Sequence, residues 1–591
     1  MNPRLAITAL GSLLVLFVAI QSAWVSDDAF ITLRVADNAL SGHGLRWNVI
    51  ERVLAYTHPL WLAGLIPAYA LLGDAWSAAC ALGLVVSTLA LLAVLRRAEP
   101  GGALIAVAAM VSSKALIDYS TSGLENPLTH LALALLLLAA ERRSLVTVAL
   151  LASALALSRP DAVLLALPVL AWLARTRGSE AWRALLIGAL PLLLWELFSL
   201  VYYGSLVPNT ALAKLGHGLP RSEVILQGLR YALHPCIHDP LTVLLVLAGP
   251  MVALRSRRPE QLALAAGGAL YSIYVIAVGG DFMAGRFWTP PAFVGIALLS
   301  RAHLPLRGSG LAAGAILLVG LLPAGSPLRA GRSYDKLPAW NGIVDERGYY
   351  HRASGLRGAP WGAPRPDHPW VDDGRRVAAA GQPSPTARAC VGYFGFFAGP
   401  GIHVLDRLAL ADPLLARLPA EYDPSWRIGH FRRGLPVGYD PLAPALEDPA
   451  LAALYSDVQA ATQSPLLEPR RWAAIGRLLL GASEPIAPFP YRFHHLREAI
   501  VEGPTSVPNR GLSVPVQAPG ALLIERGRGA GVRVLAVAGQ RVLATWNVAG
   551  TVSGPRFQTW RAAAPAETER VLLFPLSSKS ATRVRRVEVV P

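Results

Sequence analysis

Two adjacent carboxylates, Asp27 and Asp28, stand where the first long apolar run of the chain ends. A carboxylate held at a membrane edge can accept a proton from an attacking hydroxyl, the general-base role. A pair of them would also suit a hard divalent cation such as magnesium, manganese or calcium, which neutralises a departing phosphate. The plainer alternative is a helix start, because Ser26 and Asp27 are both residue types that cap helices.

Other polar residues gather in a few short segments. Arg46, His58, Arg159, Lys214 and Arg286 are the candidates for holding a phosphate-bearing donor. Arginine presents a planar fork that matches phosphate oxygens, although snorkelling toward lipid headgroups explains the same residues. His43, Glu125, Asn126, Asp161, Asn209 and Asp281 share these segments and are further site candidates. Glu125 and Asn126 also read as a helix start followed by Pro127. Arg159 and Asp161 also read as a structural ion pair. Glu196 lies within an apolar stretch, where an ionisable group is a functional candidate by default.

The elements that must position these residues are apolar helices. The chain of 591 residues is 53% hydrophobic and only 16% charged, against ~25% charged in ordinary soluble domains. The shortage is confined to the first part of the chain. Up to about residue 325, runs of Leu, Ala and Val alternate with short charged or Pro/Gly breaks, and a spanning helix needs ~20 such residues. The chain has a net charge of +16, and much of the basic charge in its first half sits in short loops between these runs, which argues for membrane orientation rather than nucleic acid. Cys80, Cys236 and Cys390 are far apart and form no disulfide framework.

Placing the amino terminus in the cytoplasm puts the basic clusters at Arg96–Arg97, Arg142–Arg143, 175–183, 255–258 and 301–307 on one side. Loops 24–76, 118–126, 158–161, 203–239 and 279–288 then face the other side. Spans are expected near 5–23, 77–95, 102–117, 127–140, 144–157, 162–175, 184–202, 240–254, 261–278, 289–300 and 308–325, about eleven in all. His58 to Leu72 is apolar but short and broken by Pro67, so it is expected as a re-entrant or interfacial helix. An odd count places everything after the last span outside the cytoplasm.

The expected fold is therefore a polytopic α-helical membrane domain over 1–326, followed by an extracytoplasmic α/β or β-sandwich-containing domain over 327–591. Residues 327–380 read as irregular, rich in Pro, Gly, Arg and Trp. Runs at 391–399 and 402–406 look like short strands, and a short helix is expected near 410–418. The β-rich portion, 511–591, carries runs at 521–525, 532–537, 541–546, 571–574 and 583–590 with turn residues between them.

The segment DDAFITLR at 27–34 resembles the membrane glycosyltransferases of the GT-C superfamily. The order of GHGLRWN at 42–48, ERV at 51–53, THPLW at 57–61 and TSGLEN at 121–126 is similar in particular to actinobacterial terminal arabinofuranosyltransferases. Those enzymes use decaprenyl-phosphoryl-arabinofuranose. AGPGIHVLD at 398–406, ADPLLAR at 411–417 and GHF at 429–431 extend the likeness. The resemblance implies a multi-pass enzyme of the bacterial inner membrane that takes a polyprenyl-phosphate sugar as donor. Its acceptor would be a cell-envelope glycan or a surface glycoprotein, with membrane lipids as its other partners and no nucleic acid. Carried over by position, Asp27 and Asp28 become the catalytic carboxylates. His58 marks a departure from the cell-wall enzymes, so a mannosyl- or aminoarabinosyl-type transferase stays open. A lipid-linked sugar flippase is the reading from another class, but it needs polar groups at the midplane, and only Glu196 offers one. A membrane anchor for a glycan-binding domain leaves the polar loops unexplained.

Overall fold

The computed structural model describes residues 3–215, 219–329, 339–357, 364–381, 385–421, 423 and 426–481, and the strands between 497 and 590 with their gaps. Helices dominate up to residue 321. Each apolar segment read from the sequence overlaps one, from Pro3–Gln21 to Leu306–Leu321. Among the described residues, four stretches are long and apolar enough to cross a membrane singly, or five if one bent pair counts as a span. Pro59–Leu72, Pro100–Ser112, Asn126–Glu141, Leu145–Ser158 and Leu306–Leu321 are apolar but shorter. Leu167–Tyr203 passes as one stretch of 37 residues where the sequence suggests two spans. Its only interruption is the 3-10 turn Gly178–Glu180. With so many apolar helices, the chain is a multi-pass membrane protein.

Local chemistry sets the helix boundaries. The Ser26 hydroxyl accepts the Ala29 N–H and starts the Asp27–Leu40 helix, and Asp74 does the same for Ala75–Leu95. Pro59–Leu72 begins on a proline and ends at Gly73 in the left-handed region. Close packing depends on small residues. A Cβ on Gly295 would lie 2.0 Å from the Leu245 carbonyl oxygen, and one on Gly188 would lie 2.1 Å from the Ala149 Cβ. Such contacts let backbones approach where lipid gives no hydrophobic drive between helices.

Residues 327–380, expected to be irregular, carry the helices Glu346–Ser354 and Pro369–Ala380, capped at their starts by the Asp345 and His368 side chains, and two other sequence expectations also need correction. Loop 203–239 contains the helices Asn209–Leu215 and Arg221–His238, the latter meeting Pro240–Ser256 at 111°. Arg221–His238 buries Val224, Gln227, Gly228, Tyr231 and His234 while exposing Leu229, Leu233 and Ile237. Charged and apolar residues on opposite faces hide such an amphipathic helix from a hydropathy window. The second correction is Val391–Gly399, expected as a strand. It is the helix Gly392–Ala398, while Val404–Asp406 is a strand as expected.

The β-rich end packs two sheets face to face. One has the order Arg497–Glu498, Leu512–Pro515, Arg570–Pro575, Val532–Ala538 and Arg541–Val548. The other runs Thr505–Ser506, Arg583–Val590, Ala521–Arg526 and Gln558–Ala563. Pairing is antiparallel except between Arg497–Glu498 and Leu512–Ser513. Leu522, Ile524 and Val587 of one sheet and Val534, Val571 and Leu573 of the other form a common core.

Candidate active site

The five loops that the charge pattern assigns to one face meet around one cavity of about 470 Å3. Asp28, Thr32 and His58 enter it from the first loop, Leu124 from the second, and Arg159 with Asp161 from the third. Lys214, Asp281 and Arg286 complete the polar wall. The opposite flank is apolar, with Val224, Tyr274 and Ala277 contributed by helices whose outer faces expose Leu233 and Ile273. One side of this cavity therefore suits a charged head, and the other suits a hydrocarbon chain.

The structure separates the two adjacent carboxylates. Asp27 is only 6% exposed, and its two oxygens accept the N–H groups of Tyr393 at 2.6 Å and Gly392 at 3.2 Å. It thereby caps the Gly392–Ala398 helix, and a Cβ on Gly392 would lie 1.8 Å from the Asp27 carbonyl oxygen. Burial pushes its carboxyl up to about 7, against the lowering effect of those two hydrogen bonds. Asp28, one residue on, faces the cavity. Burial raises its pKa above the usual carboxylate value, while Arg286, Lys214 and Arg427 pull the other way. Each Asp27 oxygen accepts one backbone N–H, and both carboxylates border a smaller cavity beside the first. Among the described residues, no cluster of three or more His, Cys, Asp or Glu side chains offers a cation cage.

Glu125 organises the basic wall. It is fully buried and accepts from Arg159 Nη1 at 3.0 Å and from Arg286 Nη2 at 3.0 Å. His58 Nδ1 lies 3.4 Å from its other oxygen. Burial alone would raise the Glu125 pKa, but Arg286, His58 and Arg159 together hold it below the usual range. Arg159 is further gripped by Asp161 at 2.9 and 3.0 Å and lies over the Phe287 ring at 4.2 Å. Asn126 donates to the Arg286 carbonyl and to Thr289, which fixes the turn carrying Arg286. Burial pushes His58 down to about 4, so it is neutral near pH 7, with Thr32 Oγ1 at 2.8 Å from its Nε2.

Lys214 differs from these. Among the described residues its ammonium has no ion pair within 4 Å, although Asp281 and Asp28 act on it through space. Burial lowers its pKa, and an ammonium so placed is suited to meet an anion brought by a ligand.

Arg46, His43, Asn209 and Glu196 line neither this cavity nor its smaller neighbour. Arg46 donates to the Val49 carbonyl at 2.7 Å, and the Asn209 amide is committed to the carbonyls of Ala409, Leu410 and Asp412. Sequence reasoning did not find Glu346, Arg427 or the Gly392–Tyr393 pair. These come from the region after residue 326, and nothing in their local sequence ties them to Asp28. The likeness at GHF, 429–431, was the one nearby signal.

No family model matches the chain. It is 28% identical over 526 residues to the protein of Mycobacterium tuberculosis (strain H37Rv) named terminal beta-(1->2)-arabinofuranosyltransferase, a match covering 70% of this chain and 82% of that one. It is 31% identical over 319 residues to a protein of the same name from Corynebacterium glutamicum, covering 46% of each. Among solved structures, that of ArnT from Cupriavidus metallidurans in the apo state superposes with a TM-score of 0.41 at 17% identity, over 72% of this chain and 83% of that one. The resemblance seen in the motifs thus extends through most of the chain, which is a relative of proteins named terminal beta-(1->2)-arabinofuranosyltransferases.

Proposed function

We propose that this protein is a glycosyltransferase that moves arabinofuranose from a polyprenyl-phosphate carrier to a cell-envelope glycan. The observation that carries the reading is one cavity with Asp28 facing Arg286 and Lys214 and with an apolar flank beside them. An acceptor hydroxyl gives its proton to the Asp28 carboxylate as its oxygen attacks the anomeric carbon. The bond from that carbon to the phosphate oxygen breaks, and the polyprenyl phosphate leaves with the electron pair. Its added negative charge falls beside Arg286 and Lys214, where preorganised positive charge counts most.

About eleven spans and a boundary near residue 326 are the arrangement we infer. The enzyme then lies in the bacterial inner membrane, with the later region outside, covering the cavity rim and serving acceptor choice. That all five outer loops meet at one cavity supports this orientation.

The test uses the full-length protein in lipid nanodiscs with a panel of polyprenyl-phosphate sugars and mass spectrometry of the product. Arabinofuranose transfer is the expected result; transfer of only mannose or aminoarabinose would overturn the donor assignment. A second expectation concerns Lys214. Charge-assisted hydrogen bonds contribute ~1.5–3 kcal/mol, so Lys214→Met should raise the donor KM by about tenfold or more. An unchanged donor KM in steady-state kinetics would remove Lys214 from phosphate recognition.

A further inference from the structure

A second cavity, of about 240 Å3, adjoins the first, and Asp28, Ile31 and Leu410 line both. The smaller cavity belongs mostly to the later part of the chain and includes Glu346, Tyr350, Trp370, Arg427 and His430. Its volume is below the ~300–1,000 Å3 of pockets for drug-sized ligands, so it has room for about one sugar ring.

The two cavities differ in charge. Arg159, Lys214 and Arg286 stand in the first. In the second, Asp27, Asp28 and Glu346 face Arg427, and burial holds His430 down to about 3, so that imidazole carries no charge near neutrality. An anion has little to gain there. Glu346 is 8% exposed, and among the described residues its carboxyl makes no hydrogen bond or ion pair, although it borders the cavity. Burial, reinforced by Asp28, raises its pKa well above the ordinary carboxylate value. A neutral carboxyl both donates and accepts, which suits a sugar hydroxyl. Tyr350 and Trp370, with ring centroids 6.4 Å apart, both border this cavity, and aromatic rings there offer apolar surface to the C–H side of a sugar ring.

We infer that this smaller cavity is the acceptor subsite, taking one uncharged sugar residue at the end of a glycan, with Glu346 and Trp370 as its recognition groups. The inference rests on the proposed glycosyltransferase reading, and it places the acceptor hydroxyl beside Asp28, the carboxylate common to both cavities.

The experiment measures transfer by the full-length protein in nanodiscs, with donor and a neutral arabinofuranose oligosaccharide varied in turn. Hydrolysis of the donor without acceptor is measured in parallel. Glu346→Leu and Trp370→Ala are each expected to raise the acceptor KM about tenfold or more, with donor KM and donor hydrolysis within about twofold of wild type. Glu346→Gln, which keeps a donor and an acceptor, should stay close to wild type. The subsite is overturned if wild type transfers the sugar and neither Glu346→Leu nor Trp370→Ala moves the acceptor KM, or if both move donor and acceptor KM alike. If wild type neither hydrolyses nor transfers any lipid-linked sugar, the glycosyltransferase reading itself fails, and this inference with it.

Discussion

Asp28→Asn is expected to lower sugar transfer by about a thousandfold, within the ~10²–10⁴ range for loss of a positioned general base, while the protein inserts and folds as wild type. The substitution keeps shape and removes the ability to take the acceptor proton. Donor KM should change little, because the phosphate partners Arg286 and Lys214 remain. The pH profile of wild type supplies a second readout. Burial raises the Asp28 pKa above 3.8, and the base works only when deprotonated. Activity therefore falls as pH drops through that raised value, and the acid limb should lie above the ordinary carboxylate range. Asp27→Asn should behave differently. It leaves Asp28 in place but replaces one of the two charged acceptors that hold Gly392 and Tyr393, so its main cost should fall on the stability of the Gly392–Ala398 segment. Equal loss of transfer in both variants, with equal stability, would falsify this division of roles.

That division shows what the sequence could and could not carry. Adjacent carboxylates at the end of an apolar run mark a site at a membrane edge, and the alternation of basic loops groups Asp28, Arg159, Lys214 and Arg286 on one face, as the cavity has them. Both signals are local in the chain. The role of Asp27 depends on backbone groups 365 and 366 residues away, and no local pattern encodes such a pairing. The same reason accounts for Val391–Gly399. Its aromatic residues suit a strand, yet Tyr393 and Phe396 pack edge-on to Phe30 at 4.9 and 5.1 Å. Tertiary contact thus overrode propensity. Residues 583–590 and 532–538 needed no such partner information, because alternation and flanking turn residues define a strand on their own. The helix Pro59–Leu72 was also legible as a helix, since its apolar run starts on a proline and stops at Gly73 in the left-handed region.

The largest stability effect is expected at Glu125. Arg159 and Arg286 both reach it, and it has no exposed surface. Glu125→Ala leaves two buried guanidinium groups with fewer counter-charges. Arg159 retains the Asp161 fork, but among the described residues Arg286 retains only Asp281 as an ion-pair partner within 4 Å, at 3.7 Å, with Asp28 acting on it through space. Breaking a buried ion pair by removing one partner costs ~3–5 kcal/mol, and the loss here should fall at that level because one carboxylate serves two arginines. A double-mutant cycle separates this from a simple cavity. In Arg286→Ala the remaining Glu125 charge still meets Arg159, so that change should be the milder one. Glu125→Ala combined with Arg286→Ala should cost clearly less than the sum of the two single changes, since the second removes the charge that the first strands. Thermal unfolding in one detergent, at one protein concentration, reads the three variants against wild type. Strict additivity would mean that Glu125 and Arg286 do not act on each other, and that the basic wall is held by packing rather than by the carboxylate at its centre.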